Sequence, residues 1–154
     1  MKTFILILTI IMAVILQISV IPNFSIYNVF PNIVLIVMLG LLYVRRTNEA
    51  LWWMGLGGLL LDLVSPVRFG VYTLSFMIIF ALNYYLIEYI FTDPSILLAG
   101  ALIFISSLIS NIIFLLLTHY YSQIFTEAIY TSFVGCILYW IIRYYYKPKE
   151  EVKI

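Results

Sequence analysis

Apolar residues follow one another in six continuous blocks, separated by short polar or proline-bearing breaks. The blocks cover residues 3–21, 32–44, 50–64, 70–91, 95–117 and 128–142. None shows the short polar/apolar alternation of a membrane barrel strand, so each is predicted to be a helix. Pro22 ends the first block, and Asn23, Ser25, Asn28 and Pro31 mark an uncharged loop after it. The second block is short for a bilayer crossing at about 1.5 Å per residue, and the snorkelling side chains of Arg45 and Arg46 extend it. Trp52-Trp53 opens the third at an interface, Thr92-Asp93-Pro94 turns the chain after the fourth, and a polar stretch from Thr118 to Glu127 follows the fifth. Lys2 ahead of an apolar run resembles a signal peptide, but no small-residue cleavage site follows, so an uncleaved first helix is expected.

Composition narrows the class. Of 154 residues, 65% are hydrophobic and 10% charged, with a mean hydropathy of +1.13. Soluble domains carry about 25% charged residues, so the chain reads as an all-α integral membrane protein, one six-helix domain over residues 1–154. A net charge of +1 gives no case for nucleic acid. Cys136 is the one cysteine and His119 the one histidine, which leaves no disulfide, no metal site and no cofactor to expect.

Charge then orients the chain. Six crossings put both termini on one side, with Lys2, Arg45, Arg46, Arg143, Lys147, Lys149 and Lys153; the other side holds Arg68 alone. The positive-inside rule makes the first side cytoplasmic and the protein multi-pass. Tyr144, Tyr145 and Tyr146 join an inner aromatic belt. The 92–94 turn falls on the same side without a cation of its own.

Polar groups inside the blocks form stripes. At about 100° per residue, Gly55, Gly58, Asp62 and Ser65 fall within roughly 80° of one another on the third helix. Tyr72, Ser75 and Asn83 share a face on the fourth, and Gly100, Ser107, Ser110, Asn111 and Thr118 share one on the fifth. Small and polar residues let membrane helices approach, so these stripes are expected to face inward as packing and hydrogen-bonding positions. Asp62 stands apart, because an aspartate at a membrane helix centre costs roughly 2.5–3.5 kcal/mol on insertion scales. Its structural explanation is a pair with Arg68 across the turn, or help in capping it. Ser65-Pro66 has the form of an N-cap followed by proline at the first helical position. Glu88 is expected to snorkel to water, and Glu127 to complement the dipole at the start of the sixth helix. No nucleophile stands beside a base and no carboxylate pair flanks a cleft, so no enzymatic activity is expected.

These residues resemble a known family. Pro31-Asn32 before an aliphatic helix, Arg45-Arg46, and GGLLLDLVSPVRFGVYTLSF at 57–76 are similar to the bacterial rod-shape-determining MreD family. Its G-x-x-x-D-x-x-S-x-x-x-x-G pattern stands here as Gly58, Asp62, Ser65 and Gly70, with Pro66 and Phe69 in place. The resemblance implies a non-enzymatic subunit of the cell-wall elongation machinery in the inner membrane. It implies a bitopic MreC-like partner, with MreB, a RodA-type glycosyltransferase and a class B penicillin-binding protein in a larger complex. It also implies a fold like the six-helix substrate-binding component of energy-coupling-factor vitamin transporters. Asp62, Ser65, Pro66, Arg68, Phe69 and Gly70 would then form a structured outer turn that docks the partner. An alternative makes the chain a vitamin-binding importer component, with Asp62, Tyr72, Ser75 and Asn111 lining a pocket and the Tyr120-Tyr121 pair near His119 as its lid.

Overall fold

The computed structural model describes residues 2–19, 29–65, 69–91, 94–118 and 124–146. Among them the chain is almost entirely helical: α1 (Lys2–Ser19), α2 (Ile33–Tyr43), α3 (Thr47–Trp52), a π-turn (Trp53–Gly57), α4 (Gly58–Val64), α5 (Val71–Tyr89), α6 (Ile96–Thr118) and α7 (Ile124–Tyr145). Three of these, α5, α6 and α7, are long and apolar enough to cross a membrane. Helices α1 and α2 are apolar but shorter.

The architecture is arranged around α2. Its sequence, IVLIVMLGLLY, is apolar on every side, and nine of its eleven residues are buried. A helix without a polar face needs neighbours all round, and α2 packs against α1, α3, the π-turn, α5, α6 and α7. At about 1.5 Å per residue it is roughly 16 Å long, half the apolar thickness of a bilayer. Val29 and Asn32, in the non-helical segment before it, are themselves buried in protein, the setting in which irregular backbone is tolerated at membrane depth. Two side chains satisfy its first turn. Asn32 Oδ1 accepts from Leu35 N at 3.1 Å, and Gln17 Oε1, reaching over from α1, accepts from Val34 N at 3.0 Å.

The third apolar block is longer and less regular than its sequence suggests. It begins at Thr47, not Ala50, and the π-turn at Trp53–Gly57 inserts one residue into the helical phase. That phase slip moves Gly55 off the stripe it was expected to share with Gly58 and Asp62. A Cβ on Gly55 would meet nothing within 4 Å, whereas one on Gly57 would come 2.7 Å from Val34 Cγ1. Gly57 is therefore the close-packing glycine upstream of Gly58.

The connections alternate between two ends of the bundle. At one end, here called the arginine end, Arg45 bonds Glu88 at 2.9 Å and the Ile87 carbonyl at 3.3 Å, joining the α2–α3 turn to the last turn of α5. Arg46 pairs with Glu49 and lies 4.1 Å over the Tyr146 ring at the close of α7. Tyr139 and Arg143 both donate to the Pro94 carbonyl, at 3.0 and 3.4 Å. Pro94, in a stretch whose sequence brings no cation of its own, thus meets Arg143. Glu88, expected to reach water, is exposed and takes Arg45 as its partner there.

Candidate functional site at the Asp62 turn

The opposite end is built on the α4–α5 hairpin, and Gly70 sets its geometry. Gly70 sits at φ +96°, a left-handed conformation that residues with a Cβ rarely adopt. It also occupies the cap position ahead of α5, where it has no side chain with which to satisfy the helix's free N–H groups. Asp62 supplies what Gly70 lacks. Its Oδ1 accepts from Tyr72 N at 2.8 Å; its Oδ2 accepts from Thr73 N at 3.0 Å and from the Thr73 hydroxyl at 2.6 Å. These are the second and third residues of α5, the donors an ordinary N-cap side chain would take. The positive end of the α5 dipole lies at the same place, so the negative charge of Asp62 is matched by fixed dipoles.

Gly58 makes this reach possible. A Cβ there would lie 2.9 Å from the Thr73 Cα, so α4 and the first turn of α5 approach backbone to backbone. One turn further along α4, the Asp62 carboxylate is then delivered onto the α5 N-terminus while only 4% exposed. Helix α5 begins at Val71 and takes its capping side chain from Asp62 across the hairpin; Pro66, and with it the expected Ser65-Pro66 cap, lies outside the described residues. Ser65 ends α4 in an extended conformation and Phe69 is 68% exposed. Pro66 and Arg68 lie outside the described residues, and so does the expected Asp62–Arg68 pair.

The inward stripes occur largely where the sequence puts them. Ser75, Asn83, Ser107, Ser110 and Asn111 are all buried. Ser75 Oγ donates to the Val71 carbonyl at 2.7 Å. Tyr72 packs its ring against Phe114, with centroids 4.5 Å apart, and against Phe76. Asn111 Nδ2 reaches the Ile124 carbonyl at 3.4 Å, tying α6 to the start of α7. His119, Tyr120 and Tyr121 lie outside the described residues.

One functional-looking group escapes sequence reasoning. Ser106, one residue before the expected stripe, accepts from Asn83 Nδ2 at 2.9 Å, while Asn83 Oδ1 accepts from the Tyr43 hydroxyl at 2.8 Å. Asn83 Nδ2 also donates to the Ile79 carbonyl, so one side chain links α2, α5 and α6 with both polar atoms engaged. Glu127 stands in the first turn of α7, where the sequence predicts a carboxylate to complement the helix dipole. Helix α7 starts at Ile124, before the expected residue 128, which places Glu127 inside its first turn and against the side chain of Asn111.

Compared with models of protein families, with curated proteins and with solved structures, the chain matches none. The energy-coupling-factor component fold is therefore not among its structural matches. Helical content and the three long apolar helices define the class: a helical protein of membrane character.

Proposed function

We propose that this chain is a non-enzymatic subunit of the bacterial cell-wall elongation machinery, crossing the inner membrane six times with both termini cytoplasmic. In this reading the arginine end faces the cytoplasm and the Asp62 turn faces outward, where it holds an MreC-like bitopic protein. The wall-synthesis enzymes and MreB join through that complex. Helices α1 and α2 and the interrupted 47–64 helix supply the three crossings beyond α5, α6 and α7.

One observation carries the reading. Both oxygens of Asp62 are engaged by donors of α5, so the intramembrane acid acts as a clamp that shapes the turn. This gives the Gly58, Asp62 and Gly70 positions of the MreD-like pattern a common mechanical purpose. Gly58 admits α5, Asp62 caps it, and Gly70 bends the chain into it. Exposed apolar side chains at the turn (Leu63, Val64 and Phe69) then offer a partner its contact surface.

The test is co-purification of the tagged protein from detergent extracts, with partners identified by mass spectrometry. Recovery of an MreC-like protein and a penicillin-binding protein is expected. The Phe69→Ser variant should lose them while keeping its melting temperature, because Phe69 is exposed. Recovery of transporter ATPase subunits or a bound vitamin would sink this reading. Thr131 keeps that second reading in view: its hydroxyl on α7 is buried without a hydrogen-bond partner.

A further inference from the structure

At the arginine end a recess of about 560 Å³, open to the outside, is lined by Arg45, Arg46, Thr47, Asn48 and Glu49. We propose that this recess binds the phosphate-bearing headgroup of an anionic lipid. The inference rests on the membrane character of the chain alone and stands or falls separately from any role in wall synthesis.

Three observations point to that ligand. The first is the donor set. Arginine presents a planar fork of five N–H groups that matches phosphate oxygens in pairs. Arg46 spends one nitrogen on Glu49. The Tyr146 ring lies 4.1 Å from its guanidinium carbon, and among the described residues Glu49 is its hydrogen-bond acceptor, which leaves further donors of the fork for a ligand. Thr47 and Asn48 add neutral hydrogen-bonding groups to the same wall. The second is depth. Trp140, Tyr144 and Tyr145 are exposed on the last turns of α7, next to Tyr146. Amphipathic rings of this kind settle at the level of lipid headgroups, so the recess lies at the height of the phosphates. The third is accessibility. The Arg45 and Arg46 side chains are 39% and 43% exposed, within reach of lipid yet held by partners. Basic pockets between helices at such an interface bind anionic headgroups.

Among the described residues, the acids facing these arginines are Glu49 and Glu88. Glu88 lies beyond the lining and holds Arg45. Glu49 lines the recess and takes Arg46, so an arriving phosphate competes with the Glu49 carboxylate. This competition gives the proposal a signature with two signs. Arg46→Gln should weaken lipid binding, and Glu49→Gln should strengthen it.

The experiment is native mass spectrometry of the full chain in a neutral detergent, titrated with phosphatidylglycerol or, separately, phosphatidylcholine. Retention of phosphatidylglycerol over phosphatidylcholine is expected, and Arg46→Gln should lower it about fivefold, the effect of removing one cation near a membrane surface. Glu49→Gln should raise it. Arg143→Gln removes the same charge from the same end, but its guanidinium serves the Pro94 carbonyl, so retention should not change. Equal loss in the Arg143 and Arg46 variants would mean diffuse attraction and overturn the proposal. So would a fall in Glu49→Gln, equal retention of the two lipids, or displacement of phosphatidylglycerol by millimolar inorganic phosphate, which would indicate a free-anion site.

Discussion

The two ends of the bundle handle charge in opposite ways. At the Asp62 end a buried carboxylate is matched to backbone N–H groups and one hydroxyl, all within a single hairpin. At the arginine end guanidinium groups meet carboxylates, a carbonyl and a ring, and the paired side chains stay about two-fifths exposed. Helix direction explains part of the contrast. The N-termini of α2 and α5 lie at the first end and need acceptors, which Gln17, Asn32 and Asp62 provide. The C-termini of α2, α5 and α7 lie at the second and favour cations. Solvent explains the rest. A charge removed from water has to be satisfied by fixed dipoles and becomes part of the fold, whereas an interfacial charge keeps exchangeable partners. The buried end is therefore built for shape and the exposed end for exchange.

Substitutions break this contrast in a graded series. The largest effect is expected from Gly58→Val, which drives a branched side chain into the α5 backbone; overpacking of this kind costs about 1–3 kcal/mol or more. Detergent-solubilised protein should show it as a large loss of melting temperature, and an unchanged value would mean that α4 and α5 do not touch there. Next comes Asp62→Ala, which strips the cap from α5 at a cost of about 1–2 kcal/mol. Asp62→Asn should recover little of it, because an amide presents one acceptor where three donors converge. A full rescue by asparagine would show that charge and the second oxygen are dispensable. Asn83→Ala removes the link among α2, α5 and α6, and interhelical hydrogen bonds in membranes average about 0.6 kcal/mol each. A destabilisation of about 1 kcal/mol in an unfolding titration fits that count of bonds. The smallest effect belongs to Arg45→Gln, since exposed ion pairs contribute about 0.2–1 kcal/mol. If Arg45→Gln proved as damaging as Asp62→Ala, the distinction between the two ends would fail.

How much of this was legible beforehand depended on whether a feature repeats or is singular. Long apolar runs repeat their signal over many residues, so the helical character of the chain and the inward faces of α5 and α6 followed from periodicity, while the bounds of the third and sixth blocks did not. Asp62 was legible as an anomaly, because a charge in an apolar run demands an explanation. Its role was legible in part: help in capping the turn was one expectation, but backbone N–H groups carry no mark in the sequence, so the particular donors, Tyr72 and Thr73, were not. The π-turn was hidden for a related reason. One extra residue shifts every later position by about 100° and leaves composition untouched, so Gly55 was assigned a place that Gly57 occupies. Ser106 was missed because the stripe was drawn at ideal spacing, and Asn83 reaches one residue to the side of it.

The enclosure of α2 has a consequence in time. Ribosomes deliver chain at about 5–20 residues per second. Tyr139, which meets the Tyr43 ring edge-on at 5.9 Å, therefore follows Tyr43 by roughly 5–20 s. During that interval the short apolar helix has α1 beside it but lacks the wall that α7 supplies. The first tertiary link it can make is to α1, where Gln17 Nε2 donates to Asn32 Oδ1 at 3.2 Å. Assembly of the bundle finishes when the last helix arrives to close over one of the first.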